Sequence, residues 1–381
     1  MVLCRQFDKQ RRRFSLLLFR AGAAAIVFPR LTAAALLGQA SSSNEVYSNA
    51  IVVDSLCAPL RDTFLDSSPS PQELKAVRES GITAIHFSIS TPDFDETLNS
   101  LANVVQLADT YPDMFLIVRR HPDIARAKRE NKLGLMLGFQ FPNVIEQDVD
   151  RLSTFRKLGV RIMQLTYNKR SKFGDGCLET SNGGLSEAGI DAIRTMNQIG
   201  VAVDLSHSGY RTASEAIARS FKPVLISHSG CAALYQHPRN TPDEILKALA
   251  DHGGYFGLYL TPYLVASPTI PTREHVLDHL VHAINVCGAD HVGIGSDAGI
   301  QQIVLTPETK AAFEQNFIQR KQLGIAAPGE DRYPYVPDLN GPDHMQIVAA
   351  ELAKRGQPAS VVEKVLGRNF QRVIGEIWGT S

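Results

Sequence analysis

From about residue 45 onward the chain alternates short runs of apolar and β-branched residues with longer stretches whose apolar positions recur every three to four residues. The short runs fall at 50–55, 82–88, 133–140, 160–166, 201–207, 223–228, 255–260 and 291–297, and each has the length and continuity of a strand buried on both faces. Helix-start chemistry stands between them: Ser70-Pro71-Gln72-Glu73, Ser186-Glu187 and Thr241-Pro242-Asp243-Glu244 each put a hydroxyl ahead of an acidic first turn. Eight strands joined by helical crossovers predict a (β/α)8 TIM barrel. No Gly-x-Gly-x-x-Gly follows the first strand, which removes the main support for an open dinucleotide-binding sheet.

Two regions break the alternation. Residues 299–340 are Pro- and Gly-rich around one helical stretch at 307–322, and a long irregular segment directly after the last strand is expected to cover the barrel mouth. Helical patterns resume at 349–355, 361–366 and 370–377, a C-terminal extension lying within 343–378. The first forty residues read as an address. Gln10-Arg11-Arg12-Arg13-Phe14-Ser15-Leu16 resembles a twin-arginine export signal, and Gly38-Gln39-Ala40 has the small-x-small form of a cleavage site. The reading is an export segment at 1–40, a periplasmic or secreted destination, and one barrel domain over 45–381. Arg20 and Arg30 interrupt the apolar part of that segment, and no later stretch is long and apolar enough to span a bilayer, so no stable membrane insertion of the mature chain is expected.

Composition narrows the partners. The 381 residues are 44% hydrophobic, enough for a large core, and 39 basic residues balance 39 acidic ones. A formal charge of zero supplies no field for nucleic acid or anionic lipid and favours a small ligand. The five cysteines, Cys4, Cys57, Cys177, Cys231 and Cys287, are scattered without a CxxC and define no disulfide framework.

In such barrels the chemistry sits at the carboxyl ends of the strands. There the chain offers Gln140, Tyr167, His207, His228 and Asp297, with His86 near the end of the second strand as a further candidate ligand. A single strand-end histidine is usually structural. Two of them, each preceded by Ser and accompanied by a strand-end Asp, point to metal binding and hydrolysis.

The segments Asp204-Leu205-Ser206-His207, Pro223-Val224-Leu225-Ile226-Ser227-His228-Ser229, Arg239-Asn240-Thr241-Pro242-Asp243-Glu244 and His291-Val292-Gly293-Ile294-Gly295-Ser296-Asp297 resemble the membrane (renal-type) dipeptidases, zinc peptidases of the amidohydrolase superfamily. Gly367-Arg368-Asn369-Phe370 fits as well, and the resemblance runs from about 50 to 378. It implies that His207 and His228 bind the second metal, that Arg239 holds a substrate carboxylate and that Asp297 handles protons. Departures accompany the matches. Where the family has a His-x-Asp pair on the first strand, this chain has Leu56-Cys57-Ala58; its bridging Glu falls on Gln140, and a further His falls on Tyr167. Cys57 is expected to turn away from the face shared by residues 56 and 58 and to pack as a small hydrophobe.

Two zinc ions would bring four positive charges to a site whose carboxylates have become Ala58 and Gln140, so a two-metal centre is rejected. The remaining options are one zinc ion on His207 and His228, completed by Asp297 and by Gln140 or water, or no ion at all. Arg239 and Tyr167 are the substrate-binding candidates: a guanidinium fork matches a carboxylate, and a phenol can donate to a substrate oxygen. The expected activity is that of an exported dipeptidase-like metallohydrolase acting on a dipeptide, an N-acyl amino acid or a related amide. The alternatives are a non-hydrolytic periplasmic binding or metabolite-maturation protein, and a different metal-assisted step such as isomerisation or a lyase reaction. Relatives of this kind are often dimers, which leaves a homodimer open.

Overall fold

The apolar runs do become parallel strands. The structure, a computed structural model, describes residues 45–57, 69–146 and 148–379. Eight strands follow one another around a barrel: β1 (Val53–Asp54), β2 (Ala84–Ser88), β4 (Leu133–Phe139), β5 (Val160–Gln164), β6 (Ala202–Asp204), β7 (Leu225–Cys231), β9 (Tyr255–Leu258) and β10 (Val292–Ile294). All pairings are parallel, as helical crossovers require. The two ends meet: Ser55 N donates to Ile294 O at 2.9 Å and Asp297 N to Leu56 O at 2.8 Å. Asp54 reinforces that seam by accepting from Ser296 N at 2.8 Å and Ser296 Oγ at 2.5 Å.

Several strands are shorter than their apolar runs, and side chains explain why. Asp54 and Asp204 each accept from the backbone N–H two residues ahead, of Leu56 and Ser206, which bends the chain out of the ladder. Two short strands have no counterpart among the expected eight. β3 (Phe115–Ile117) pairs with β4 at residues 133–135, ahead of the point where β5 takes up pairing with that strand, and its three residues give too little pattern to read. β8 (Asn240–Thr241) extends β7 at Gly230 and Cys231, and it braces the loop that carries Arg239.

Inside the barrel one layer consists of Val53, Ala84, Met136, Ile162, Ala202 and Leu225, all completely buried, with Tyr255 beside them. The floor beneath is the last helix, Asn369–Trp378, which inserts Phe370, Val373, Ile374, Ile377 and Trp378 into the same cluster. Helices such as Pro71–Ser80, opened by a Ser70/Glu73 capping box, pack around the outside. The segment after β10 carries the helix Pro307–Gln322, which has no buried residue of its own and lies over the barrel mouth. No helix among the described residues is long and apolar enough to cross a membrane. The export reading at 1–40 lies outside the described residues.

Candidate functional site

The site is built where β6 and β7 end. Asp204, fully buried, accepts from Ser206 N (3.0 Å), Ser206 Oγ (2.8 Å) and Ser227 N (2.9 Å), and Ser227 Oγ lies 2.5 Å from its other oxygen. One carboxylate thus ties the two strand ends together. A register shift between Ile226 and Ser229 breaks the pairing of β7 with β9 at His228. Three residues of the mouth, Asn168, His207 and Asp297, have left-handed backbones with φ of 54°, 63° and 53°, and all three line one cavity. Such φ values are uncommon outside glycine and cluster at functional sites, and Asn and Asp tolerate them best.

The imidazoles meet directly: His207 Nε2 and His228 Nε2 are 2.9 Å apart. His207 Nδ1 is 2.6 Å from Asn168 Oδ1, and the Asn168 amide is oriented by donating from Nδ2 to Ile325 O at 2.7 Å. Cys177 Sγ donates to the same Oδ1 at 3.3 Å. His228 Nδ1 is 2.8 Å from Ser227 Oγ. Counting protons from both ends, His207 Nδ1–H donates to Asn168 Oδ1, and Ser227 Oγ, which gives its one proton to Asp204, accepts from His228 Nδ1–H. In neutral rings both Nε2 atoms therefore present lone pairs to the space between them, as a shared metal ion would require. Burial, then the Arg239 guanidinium, holds both imidazoles well below their ordinary pKa, which favours neutral rings.

The surroundings are cationic and aromatic. Arg239 is 3% exposed, places Nη2 3.4 Å from His228 O and lies 5.8 Å from the centre of the Tyr259 ring. Its carbonyl accepts from Ser229 Oγ at 2.7 Å, which fixes its loop to β7. Tyr167 stacks on His207 at 4.3 Å and on Phe141 at 4.2 Å, with the Arg320 guanidinium 5.5 Å above it; burial raises its phenol pKa. The cavity bounded by Tyr167, His207, Arg239, Asp297 and the covering segment measures about 300 Å³. A second cavity of about 440 Å³ lies on the other side of His207 and Arg239, between the loops after β6 and β7.

Thus His207, His228, Arg239, Tyr167 and Asp297 come together, and Gln140 does not join the cavity wall; its backbone N–H donates to Ser88 Oγ at 3.0 Å. Leu56 is buried, and Ala58 lies outside the described residues. Cys57 sits in the main apolar cluster with Sγ directed at Ala298 O, its thiol pushed up by burial. His86 is completely buried, with Nδ1 2.7 Å from Ser55 O and Nε2 without a hydrogen-bond partner; it lies next to Gly138.

Among the described residues no group of three or more His, Cys, Asp or Glu could hold a metal ion. The described donors do not fit a two-metal centre. They fit one ion through two imidazole nitrogens whose Nδ1 atoms are anchored by oxygen, the usual way a ligating histidine is oriented, with water or substrate filling the remaining positions. Sequence reasoning missed Asp204, Ser227, Asn168 and the arginines of the covering segment. Asp204 stood within the motif, but nothing marked it as facing inward rather than toward the helices.

The model of the membrane dipeptidase family (peptidase family M19) matches residues 42–311. Dipeptidase verJ of Clonostachys rogersoniana is 29% identical over 286 residues, covering 74% of this chain and 65% of that protein. The chain spans less than two thirds of the length of this curated relative. An amidohydrolase structure from Pseudomonas aeruginosa shares 31% identity with a TM-score of 0.77, covering 88% of this chain and 99% of the other. A metallo peptidase from Rhodobacter sphaeroides, liganded with a phosphinate mimic of the dipeptide L-Ala-D-Ala, has the same fold at 18% identity and a TM-score of 0.72, over 87% and 100% of the two chains.

Proposed function

Because this chain belongs to the membrane dipeptidase family, peptidase family M19, a family of hydrolases, we propose that it binds a dipeptide or N-acyl amino acid at the barrel mouth and hydrolyses its amide bond. One observation carries the reading: the His207 and His228 Nε2 atoms converge at 2.9 Å beside a buried arginine, Arg239, in contact with the His228 carbonyl. A single divalent ion on these two nitrogens would supply Lewis-acid polarisation of the scissile carbonyl and a more acidic water.

The chain's own residues do the rest. Arg239 receives the free carboxylate of the ligand in a two-pronged contact and fixes the distance of the amide from the histidines. Asp297 takes the proton released as water adds to the amide carbon and returns it to the nitrogen as the C–N bond breaks. Tyr167, stacked on His207, holds that ring in place and presents its hydroxyl toward Arg320. Phe313 and Phe317 of the covering helix wall the cavity against bulk water. Export by way of residues 1–40 belongs to the same reading.

The test is elemental analysis of the full chain purified without chelator, beside the His207→Ala/His228→Ala variant, followed by a screen of dipeptides and N-acyl amino acids. About one zinc per chain, lost in the variant together with hydrolysis, is the expected result. A chain that takes up no metal and hydrolyses none of these amides overturns it. It would favour a non-hydrolytic binding protein, for which the lack of a third ligand among the described residues speaks.

A further inference from the structure

We infer that the ligand of this cavity carries two negative charges, and that Arg332 reads the second. The inference rests on the reading above that the cavity takes a carboxylated ligand, and it narrows that class to acidic dipeptides or N-acyl derivatives of acidic amino acids.

Three arginines line the mouth cavity: Arg239 from the barrel, and Arg320 and Arg332 from the covering segment. Of the three, only Arg320 pairs with a described carboxylate. Its Nε pairs with Glu330, whose carboxylate also accepts from Ala327 N at 2.7 Å and Tyr263 OH at 3.2 Å. That leaves two guanidinium groups. Arg239 forms no ion pair with a described carboxylate and is proposed to hold the α-carboxylate.

Arg332 is held rigidly by carbonyls instead of acids. Its Nη1 donates to Val265 O and Thr269 O, each at 3.0 Å, and its Nε to Gly329 O at 3.1 Å. Its Nη2 is buried and has no hydrogen-bond partner. A guanidinium that lines the cavity, is oriented by three carbonyls and is paired with no described carboxylate lacks an anion. Among the described residues Asp297 is the only other acidic one on the wall, so the described lining carries three positive charges against two negative ones. A monocarboxylate bound at Arg239 leaves the Arg332 charge without a partner; a second carboxylate would pair with it. Arg332 lies beyond residues 42–311, so the family match does not assign it a role.

The experiment is calorimetric titration of the full chain with N-acetyl-L-glutamate and with N-acetyl-L-glutamine, which match in shape and differ in the second charge. The glutamate compound should bind about 10- to 100-fold more tightly, the range for a hydrogen bond to a charged group. That preference should collapse in Arg332→Gln and largely persist in Arg332→Lys, which keeps the charge. Equal binding of the two compounds by the unaltered chain overturns the inference while leaving the carboxylate reading in place, and needs no variant to fold. A preference untouched by Arg332→Gln assigns the second charge to another residue and overturns the role of Arg332. If neither compound binds, the carboxylate reading fails as well.

Discussion

Asp54 offers the sharpest quantitative test of the structure. Its carboxyl is completely buried at the seam between β1 and β10, and burial pushes its pKa from 3.8 up to about 7, against the opposing pull of hydrogen bonds from Ser296 and Leu56. Between these two values the native chain binds a proton that the unfolded chain has lost. The stability this group contributes is therefore full below pH 3.8 and falls away as pH rises toward 7, by about 1.4 kcal/mol per unit. Asn is the right perturbation. Its carbonyl oxygen can accept from Leu56 N and Ser296 N as Oδ1 does now, and its amide can donate to Ser296 Oγ, so packing is kept while the titration is removed. The assay is urea unfolding of both proteins at pH 5.0, 6.0 and 7.5. The stability of the native chain relative to Asp54→Asn should drop by about 2.5 kcal/mol from pH 5.0 to 7.5. A difference that stays constant with pH would refute the reasoning, since every titration not touching Asp54 is common to both proteins.

Three further outcomes follow from packing and burial. In Gly138→Ala the new Cβ would lie 2.0 Å from His86 Nε2 and 2.9 Å from Ile162 O, so stability should fall by about 3 kcal/mol in chemical denaturation, and adding His86→Ala should recover only the part due to the imidazole, since the Ile162 carbonyl stays in place. Phe370→Ala empties the barrel floor where the ring packs edge-on to Tyr255 at 5.2 Å; a loss of about 3–5 kcal/mol is expected by the same measurement. Burial lowers His237 and His279 to about 4, so their contribution is complete above 6.5 and is lost as pH falls toward 4, by about 1.4 kcal/mol per unit for each. Unfolding of the Asp54→Asn variant, which lacks the opposing trend, should show that acid loss most clearly.

Much of the architecture could be read from the chain because a parallel barrel strand is buried on both faces and so appears as an unbroken apolar run. Runs such as 133–140 and 160–166 mark β4 and β5 within a residue or two. The last residues of the runs were harder, since Asp54 and Asp204 end their strands with side-chain bonds that periodicity does not register. The meeting of His207, His228 and Asp297 was legible because strand ends converge in this fold, whereas Arg239, in the loop after β7, was named only by the family resemblance. Gln140 ends its run in the same way, yet it does not join the cavity wall. Arg320 and Arg332 were invisible for the opposite reason: they lie in irregular chain, where no period relates a residue to the barrel axis. Their place at the mouth depends on how residues 299–340 fold back.

The floor supplied by Asn369–Trp378 has a consequence for the order in which the molecule is made. Val53 and Ala84 leave the ribosome early, but the aromatic and aliphatic side chains that cap their layer are synthesised close to the end of the described chain. Until then the nascent barrel exposes a ring of apolar side chains at its base. A chain released early by a premature stop would keep that ring open to chaperones and proteases. The helix Asn369–Trp378 therefore completes the base of the barrel, and truncation within it should show first as poor yield.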